Sequence, residues 1–371
     1  MRPASRVALA VSVLVAAGCT GSSRAPAASP SGAPGPATTA KPSSPPAMPR
    51  LVLTADLTER ASRWSRVAFL PFGVLASQLG FKRLPESTNS QPSSFAVAPD
   101  GSFWIDDRWK ARIAHYSPAG RFLGAVGPIQ ERGEDVVVWG DRVVVLAVQG
   151  GLHGGAEVLV SEPGGAFSRA VINDNGRPLF VADLLASAQD VLGEVAGFAG
   201  DVNAIGEGPK GIARLDVPGT GQAHLLPGLP LEGGTFFTLS TAQGLGGGDQ
   251  DFNLSFSRGD RTDTRPLRVN VLAKDGRSRL IPAEVGPGEQ TASADDVFMY
   301  VEIAPTRAAD AERSGGGRWL LRVGESPVLW ERLPDPGIPD ERQRKHIAVG
   351  PGGAVYLMVA QRDGMAILRR T

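Results

Sequence analysis

The stretch from Ser94 to Gly127 constrains the fold more than any other. It reads SFAVAPDGSFWIDDRWKARIAHYSPAGRFLGAVG. Four short apolar runs follow one another: FAVA, SFWI, RIAHY and FLGAV. Turn chemistry bounds each of them, at Pro99-Asp100-Gly101, Asp106-Asp107 and Pro118-Ala119-Gly120. Proline presets φ and glycine tolerates positive φ, so such clusters end a strand and reverse the chain. Four strands joined by tight turns predict one antiparallel meander, the unit of a propeller blade.

The same grammar recurs downstream. Asp135–Gly140, Arg142–Val148, Ala156–Gly164 and Phe167–Ile172 form a second, valine-rich set. A third lies between Glu194 and Leu229, preceded by Phe180–Leu192, whose roughly helical spacing leaves it open between a short helix and an irregular connection. A fourth is Thr235–Thr241, Asp251–Ser257, Leu267–Gly276 and Ser278–Val285. A fifth has Val297–Ile303, Arg318–Gly324 and Pro327–Leu333, with a weak first strand near QTASA. The last, His346 to Arg370, carries three strands and no fourth. An unpaired edge invites aggregation, and a ring must protect its seam. Trp64–Phe72 supplies a spare strand near the N-terminus. The expectation is an all-β, six-bladed β-propeller closed by that strand pairing with the C-terminal blade. Residues 94–371 divided among six blades give about 46 residues each, within the usual repeat length. Five or seven blades are the neighbouring counts. A β-sandwich is the rival fold, but it does not predict the matching AVAPDGSFW and AVGPGGAVY segments at the two ends.

Bulk properties narrow the function classes. The 371 residues carry 38 Lys plus Arg against 38 Asp plus Glu. A net charge near zero argues against nucleic acid as a partner. With one cysteine, Cys19, no intrachain disulfide can form, and no cysteine lies inside the fold to act as a nucleophile.

Residues 1–18 read as a signal peptide. Arg2 and Arg6 form a positive start, and Val7 to Ala17 is apolar but too short to span a bilayer. Ala16-Ala17-Gly18-Cys19 resembles the lipobox of bacterial lipoproteins, which implies lipid attachment at Cys19. Ala16 stands where leucine is commonest. Residues 19–50 are rich in Pro, Ala and Ser, and 20–50 lack acidic and aromatic residues; this composition predicts an extended tether. The propeller then spans 51–371. The expected location is the extracytoplasmic face of a cell membrane, at the cell surface or in the periplasm.

The segment AVAPDGSFWIDDRWKARIAHYSPAGRFLGAVG is similar to an NHL-type propeller repeat. Asp107, Arg112 and Ile113 match its spacing, and Lys110 stands where that family usually has Asn. His346–Arg370 matches more loosely, and the other blades match in rhythm alone. The resemblance implies the fold and carries no activity.

Loops between second and third strands share a face with the blade-to-blade connections. The long ones, Gln149–Gly155, Ser257–Pro266 and Ala304–Gly317, point to that face as a binding face. Its candidate residues are Arg108, Trp109, Lys110, His153, Arg261, Asp263 and Arg307. A bracing role for the Arg108–Lys110 loop, with Asp107 and Arg112 tying strands together, competes with contact to a ligand. Six-bladed lactonases hold a metal with Glu, Asp and Asn in the channel. Asp106-Asp107, Glu134-Asp135, Asp295-Asp296, Asp201 and Asn203 show no unifying spacing and read mostly as turn formers. Quinone-dependent dehydrogenases use channel His and Arg, whereas His115, His153, His224 and His346 are scattered. P-loop, G-x-S-x-G, H-E-x-x-H and CxxC motifs are absent from the sequence.

No catalytic residue, metal or cofactor is therefore expected, and the channel should be lined by Ala, Val, Ser and Gly. The expected function is a non-catalytic binding module with a protein, glycan or small-molecule partner. The alternative is a metal-dependent, lactonase-like hydrolase or lyase with its site in the central channel.

Overall fold

A computed structural model describes residues 50–371, apart from 62, 84–88, 128, 130–132, 149–154, 163–165, 187–189, 199–210, 242–250, 274–279, 281–282, 294, 315, 325–326 and 339–342. Six sheets of four or five strands form a six-bladed β-propeller. Blade 1 is Phe95–Val97, Phe103–Asp107, Arg112–Tyr116 and Phe122–Val126. Each is one of the runs read from the sequence. Blade 2 is likewise as expected, from Gly133–Trp139 to Phe167–Val171.

Ring closure follows the sequence argument. Trp64–Pro71 pairs antiparallel with Gly364–Arg370, and supplies the fourth strand of blade 6 beside Val355–Gln361 and Ile347–Val349. The closing strand buries Ala68 and Leu70.

The middle blades differ in register. In Phe180–Leu192, where 187–189 lie outside the described residues, the structure has strand in place of the expected helix or irregular connection over 180–186 and 191–192. These residues contribute to Arg177–Ala186 and Val191–Phe198, which pair antiparallel as the first long strands of blade 3. Apolar residues on both faces of a strand buried between neighbours mimic helical spacing. Blade 3 continues with Gly211–Leu215 and Ala223–Leu225. In blade 4, Asp251–Arg258 and Arg261–Leu272 make one long hairpin. Of the expected strand Ser278–Val285, 278–279 and 281–282 lie outside the described residues, Leu280 bridges antiparallel to Leu272, and 283–285 belong instead to Ala283–Ser293, which opens blade 5 and includes Gln290–Ser293 of the weak strand. Leu51–Asp56 was not anticipated as a strand. It adds parallel to Leu267–Leu272 at the edge of blade 4. Trp330 Nε1 and Arg332 Nη1 of blade 5 then donate to Thr54 O and Leu57 O. The N-terminal segment thus clasps blades 4, 5 and 6.

The apolar core lies between blades. Separate clusters join blades 6 and 1 (Phe103, Tyr356), 1 and 2 (Ile113, Val145), and 2 and 3 (Val144, Val181). Another runs through blades 3, 4 and 5, and a fifth joins 5 and 6. These clusters fill the spaces between neighbouring sheets, and polar groups stand where the inner strands begin.

Candidate functional site

Polar and charged residues stand where the innermost strands begin. Ser93 and Ser94 precede Phe95, Glu134 and Asp135 precede Val136, and Arg344, Lys345 and His346 precede Ile347. All three segments enter an inner strand, so they converge on the mouth of the channel. Asp106 and Asp107 end the second strand of blade 1 at that same face.

Asp135 is fully buried and joins three blades with the segment leading into a fourth. It accepts from the Ser94 hydroxyl of blade 1, from Leu184 N of blade 3 at 2.8 Å and from Lys345 Nζ at 2.8 Å. Lys345 also donates to Leu184 O (3.1 Å) and Val136 O (3.4 Å). Blades 3 and 6 face each other across a six-membered ring, so this lysine crosses the axis. Its three donors are matched by three acceptors, as a buried ammonium requires.

Around this pair the charges interlock. Arg108 and Arg344 both pair with Glu134, the latter at 2.8 Å. The Ser93 hydroxyl donates to Asp106. Burial pushes the Asp106 carboxyl up to about 7, against the Ser93 hydrogen bond and the Arg108 charge. Asp183 is pushed up to about 8, first by burial and then by Asp135 and Glu194, with Lys345 opposing. Burial also raises Glu194. On the blade 5 side, Glu289 accepts from His346 Nδ1 at 2.6 Å and from Ile347 N at 3.0 Å. The His346 ring stacks on Tyr300, centroids 4.3 Å apart.

The expected lining of Ala, Val, Ser and Gly is corrected by this arrangement. So is the reading of two acidic pairs as turn formers: Asp106, Asp107, Glu134 and Asp135 all lie within strands and are buried. A carboxylate at a strand end that meets neighbouring blades finds hydrogen-bond donors there, which no local turn pattern reveals. Among the described residues, no group of three or more His, Cys, Asp or Glu is placed to hold a metal.

The rim residues resolve individually. Arg108–Lys110 form a single 3₁₀ turn. Lys110 Nζ donates to Leu75 O and Gln78 O at 2.7 and 2.8 Å. Arg112 pairs with the buried Asp107 at 2.9 Å, so the bracing role of this loop holds. Trp109 remains half exposed. Arg261 and Asp263 lie on a strand rather than in a loop, and because Leu229–Pro230 pairs with Phe236–Thr241 as the first strand of blade 4, the turn before them joins the third and fourth strands and lies on the face opposite the expected one. The chain reverses at Gly259 (φ +59°), and Ser257–Thr262 and Ser255–Thr264 hydroxyl pairs zip the hairpin at 3.0 Å each. The alternating polar run Ser257–Pro266 has strand period, and its polarity reflects exposure on both faces. Asp263 pairs with Arg265. Arg307 is exposed, and its carbonyl accepts from Ala311 N at the start of the short helix Ala308–Ser314. His115 stacks on Trp104 and bonds Ser102, and His224 is exposed on blade 3. Cys19, His153, Asp201 and Asn203 lie outside the described residues.

Sequence reasoning passed over Ser93, Ser94, Asp183, Glu194, Glu289, Arg344 and Lys345. One usable signal existed: polar or charged residues sit directly before the apolar run of three inner strands.

Comparison with known proteins adds little beyond the fold. A family model described as a domain of unknown function (DUF7485) matches residues 62–134, from the closing strand through blade 1. No curated protein matches the sequence. Among solved structures, Kuenenia stuttgartiensis hydrazine synthase is 12% identical, with 72% of this chain and 73% of that chain covered and a TM-score of 0.42. The PQQ-bound aldose sugar dehydrogenase of Streptomyces coelicolor is 12% identical over 84% and 99%, with a TM-score of 0.39. Virginiamycin B lyase of Staphylococcus aureus is 13% identical over 76% and 95%, with a TM-score of 0.37. Likenesses this distant carry no argument about activity.

Proposed function

We propose that the chain is a membrane-anchored, extracytoplasmic lipoprotein whose NHL-like propeller is a non-catalytic binding module for a protein, glycan or small molecule. The anchor rests on the positive start, the apolar run and Cys19. The observation that carries the binding reading is Lys345. Its ammonium is spent on Asp135, Leu184 O and Val136 O, so the axis at this level is filled by groups that satisfy one another. Ligand contact then falls to the rim, where Arg307 is exposed in the connection between the second and third strands of blade 5. Cross-linking in intact cells tests this. A discrete adduct lost in Arg307→Glu but kept in Arg261→Glu, on the opposite face, supports the rim, and adducts indifferent to Arg307→Glu oppose it. Mass analysis of the amino-terminal peptide should find acyl chains on Cys19, absent in Cys19→Ser.

A second reading, an enzyme with its site in the channel, is favoured by Glu289. Its carboxylate stands 2.6 Å from His346 Nδ1, an imidazole–carboxylate pair of the kind that orients a general base. Stoichiometric divalent metal in the purified protein, lost in Asp135→Asn, would select that reading over the first.

A further inference from the structure

The loop between the closing strand and blade 1 presents two apolar side chains to solvent. Val74 is 94% exposed and Leu75 is 62% exposed. Yet the loop is held from both sides. Leu79 is buried, its N–H donates to Pro71 O, and its carbonyl accepts from Gly73 N. Leu75 N donates to Gln78 Oε1 at 3.0 Å. From blade 1, Lys110 grips Leu75 O and Gln78 O, Arg112 donates to Gln78 O at 2.7 Å, and Tyr116 OH donates to Ser77 O at 3.2 Å. Val74 and Leu75 are therefore exposed by construction. Next to them, Trp109 lies against Gly80, and Lys82 Nζ stands 4.8 Å from its ring centroid. From Phe72 to Arg83 the sequence has no acidic residue.

We propose that this braced tip, Val74 and Leu75 with Trp109 and Lys82, docks shallowly into an anionic lipid surface. Two apolar side chains, an indole with a polar edge and a lysine with an apolar stem match the layered polarity of a membrane interface. The proposal rests on the membrane-anchored reading. About 30 residues separate Cys19 from the folded domain, and at up to about 3.3 Å each they reach roughly 100 Å. A domain of this size has a radius of gyration of about 20 Å. Any face can therefore meet the membrane, and the chemistry of the tip selects which one does.

The test uses the full chain carrying Val74→Cys, labelled with an environment-sensitive fluorophore. A matched chain carries the label at Val171→Cys, an exposed position on the last strand of blade 2. Both are placed on phosphatidylcholine vesicles containing a quarter phosphatidylglycerol and a lipid-borne quencher. The label at 74 should shift to the blue and be quenched at least about threefold more than at 171. The difference should vanish with Leu75→Asp and shrink without the anionic lipid. Equal quenching at the two positions overturns the proposal. The mass of the amino-terminal peptide reads the anchor separately. If Cys19 proves unacylated, the same pair in a Cys19→Ser chain, mixed with vesicles, still decides the tip.

Discussion

Lys345→Met removes one charge from the axis and keeps most of the stem. Asp135 has no exposed surface, and the Lys345 side chain is 12% exposed. The carboxylate would keep the Ser94 hydroxyl and Leu184 N–H and lose its counter-charge, while Leu184 O would lose a donor. Removing one partner of a buried pair costs about 3–5 kcal/mol, because the remaining charge stays desolvated. At roughly 2 °C per kcal/mol for a domain this large, Tm should fall by about 6–10 °C. Calorimetry at pH 7 measures it. The double variant Lys345→Met/Asp135→Asn removes the stranded charge, so it should recover about 2 kcal/mol or more relative to Lys345→Met alone. A loss below about 1 kcal/mol for Lys345→Met, the size of a surface ion pair, would refute the claim that this lysine staples blades 2, 3 and 6.

The remaining expectations concern pH, closure and a tight blade contact. Asp106 and Asp183 have folded-state values raised to about 7 and about 8, above the unfolded carboxylate value. The native state therefore binds more protons than the unfolded chain between those values, and the stability they contribute is lost as pH rises through them. Tm should increase on acidification from pH 8 to pH 6, by on the order of 1–3 kcal/mol in stability, and Asp183→Asn should flatten the profile; a Tm that falls over this range contradicts the assignment. Leu70→Ala in the closing strand, at a fully buried position, should cost about 2–5 kcal/mol in urea unfolding, and a loss under 1 kcal/mol would mean that the seam does not hold the ring. Gly221 has φ +72°, and a Cβ there would stand 2.1 Å from Val171 O. Gly221→Ala should destabilise by about 2 kcal/mol or more, and a neutral result would show that blades 2 and 3 separate easily at their rim.

Much of the architecture was legible because it is written in local chemistry. Pro99-Asp100-Gly101 and Pro118-Ala119-Gly120 punctuate blade 1, and the count of strands after His346 left one place for Trp64–Pro71 to fill. Blades 3 and 4 were misregistered for the opposite reason. In blade 3, successive positions such as Leu184–Leu185 and Val191–Leu192 are buried, so Phe180–Leu192 lost its alternation, while in blade 4 the exposed hairpin around Gly259 carried enough polarity to imitate a loop. Leu51–Asp56 has ordinary strand character, but nothing local says that it adds parallel to a strand more than 200 residues away.

The repeat, the turns and the need for a closing strand follow from residues close together in the chain. The amino-acid sequence also sets the charge balance and the place of the single cysteine. What the charged residues do depends on the folded ring. Asp135, Leu184 and Lys345 are far apart in the chain and meet because a ring of six blades brings its inner strands to one axis. Burial there forces each charge to find a partner. In the same way Ser94–Gly127, the stretch that announced the fold, acquires a second role: its Lys110, Arg112 and Tyr116 fix the loop that holds Val74 and Leu75 out to solvent.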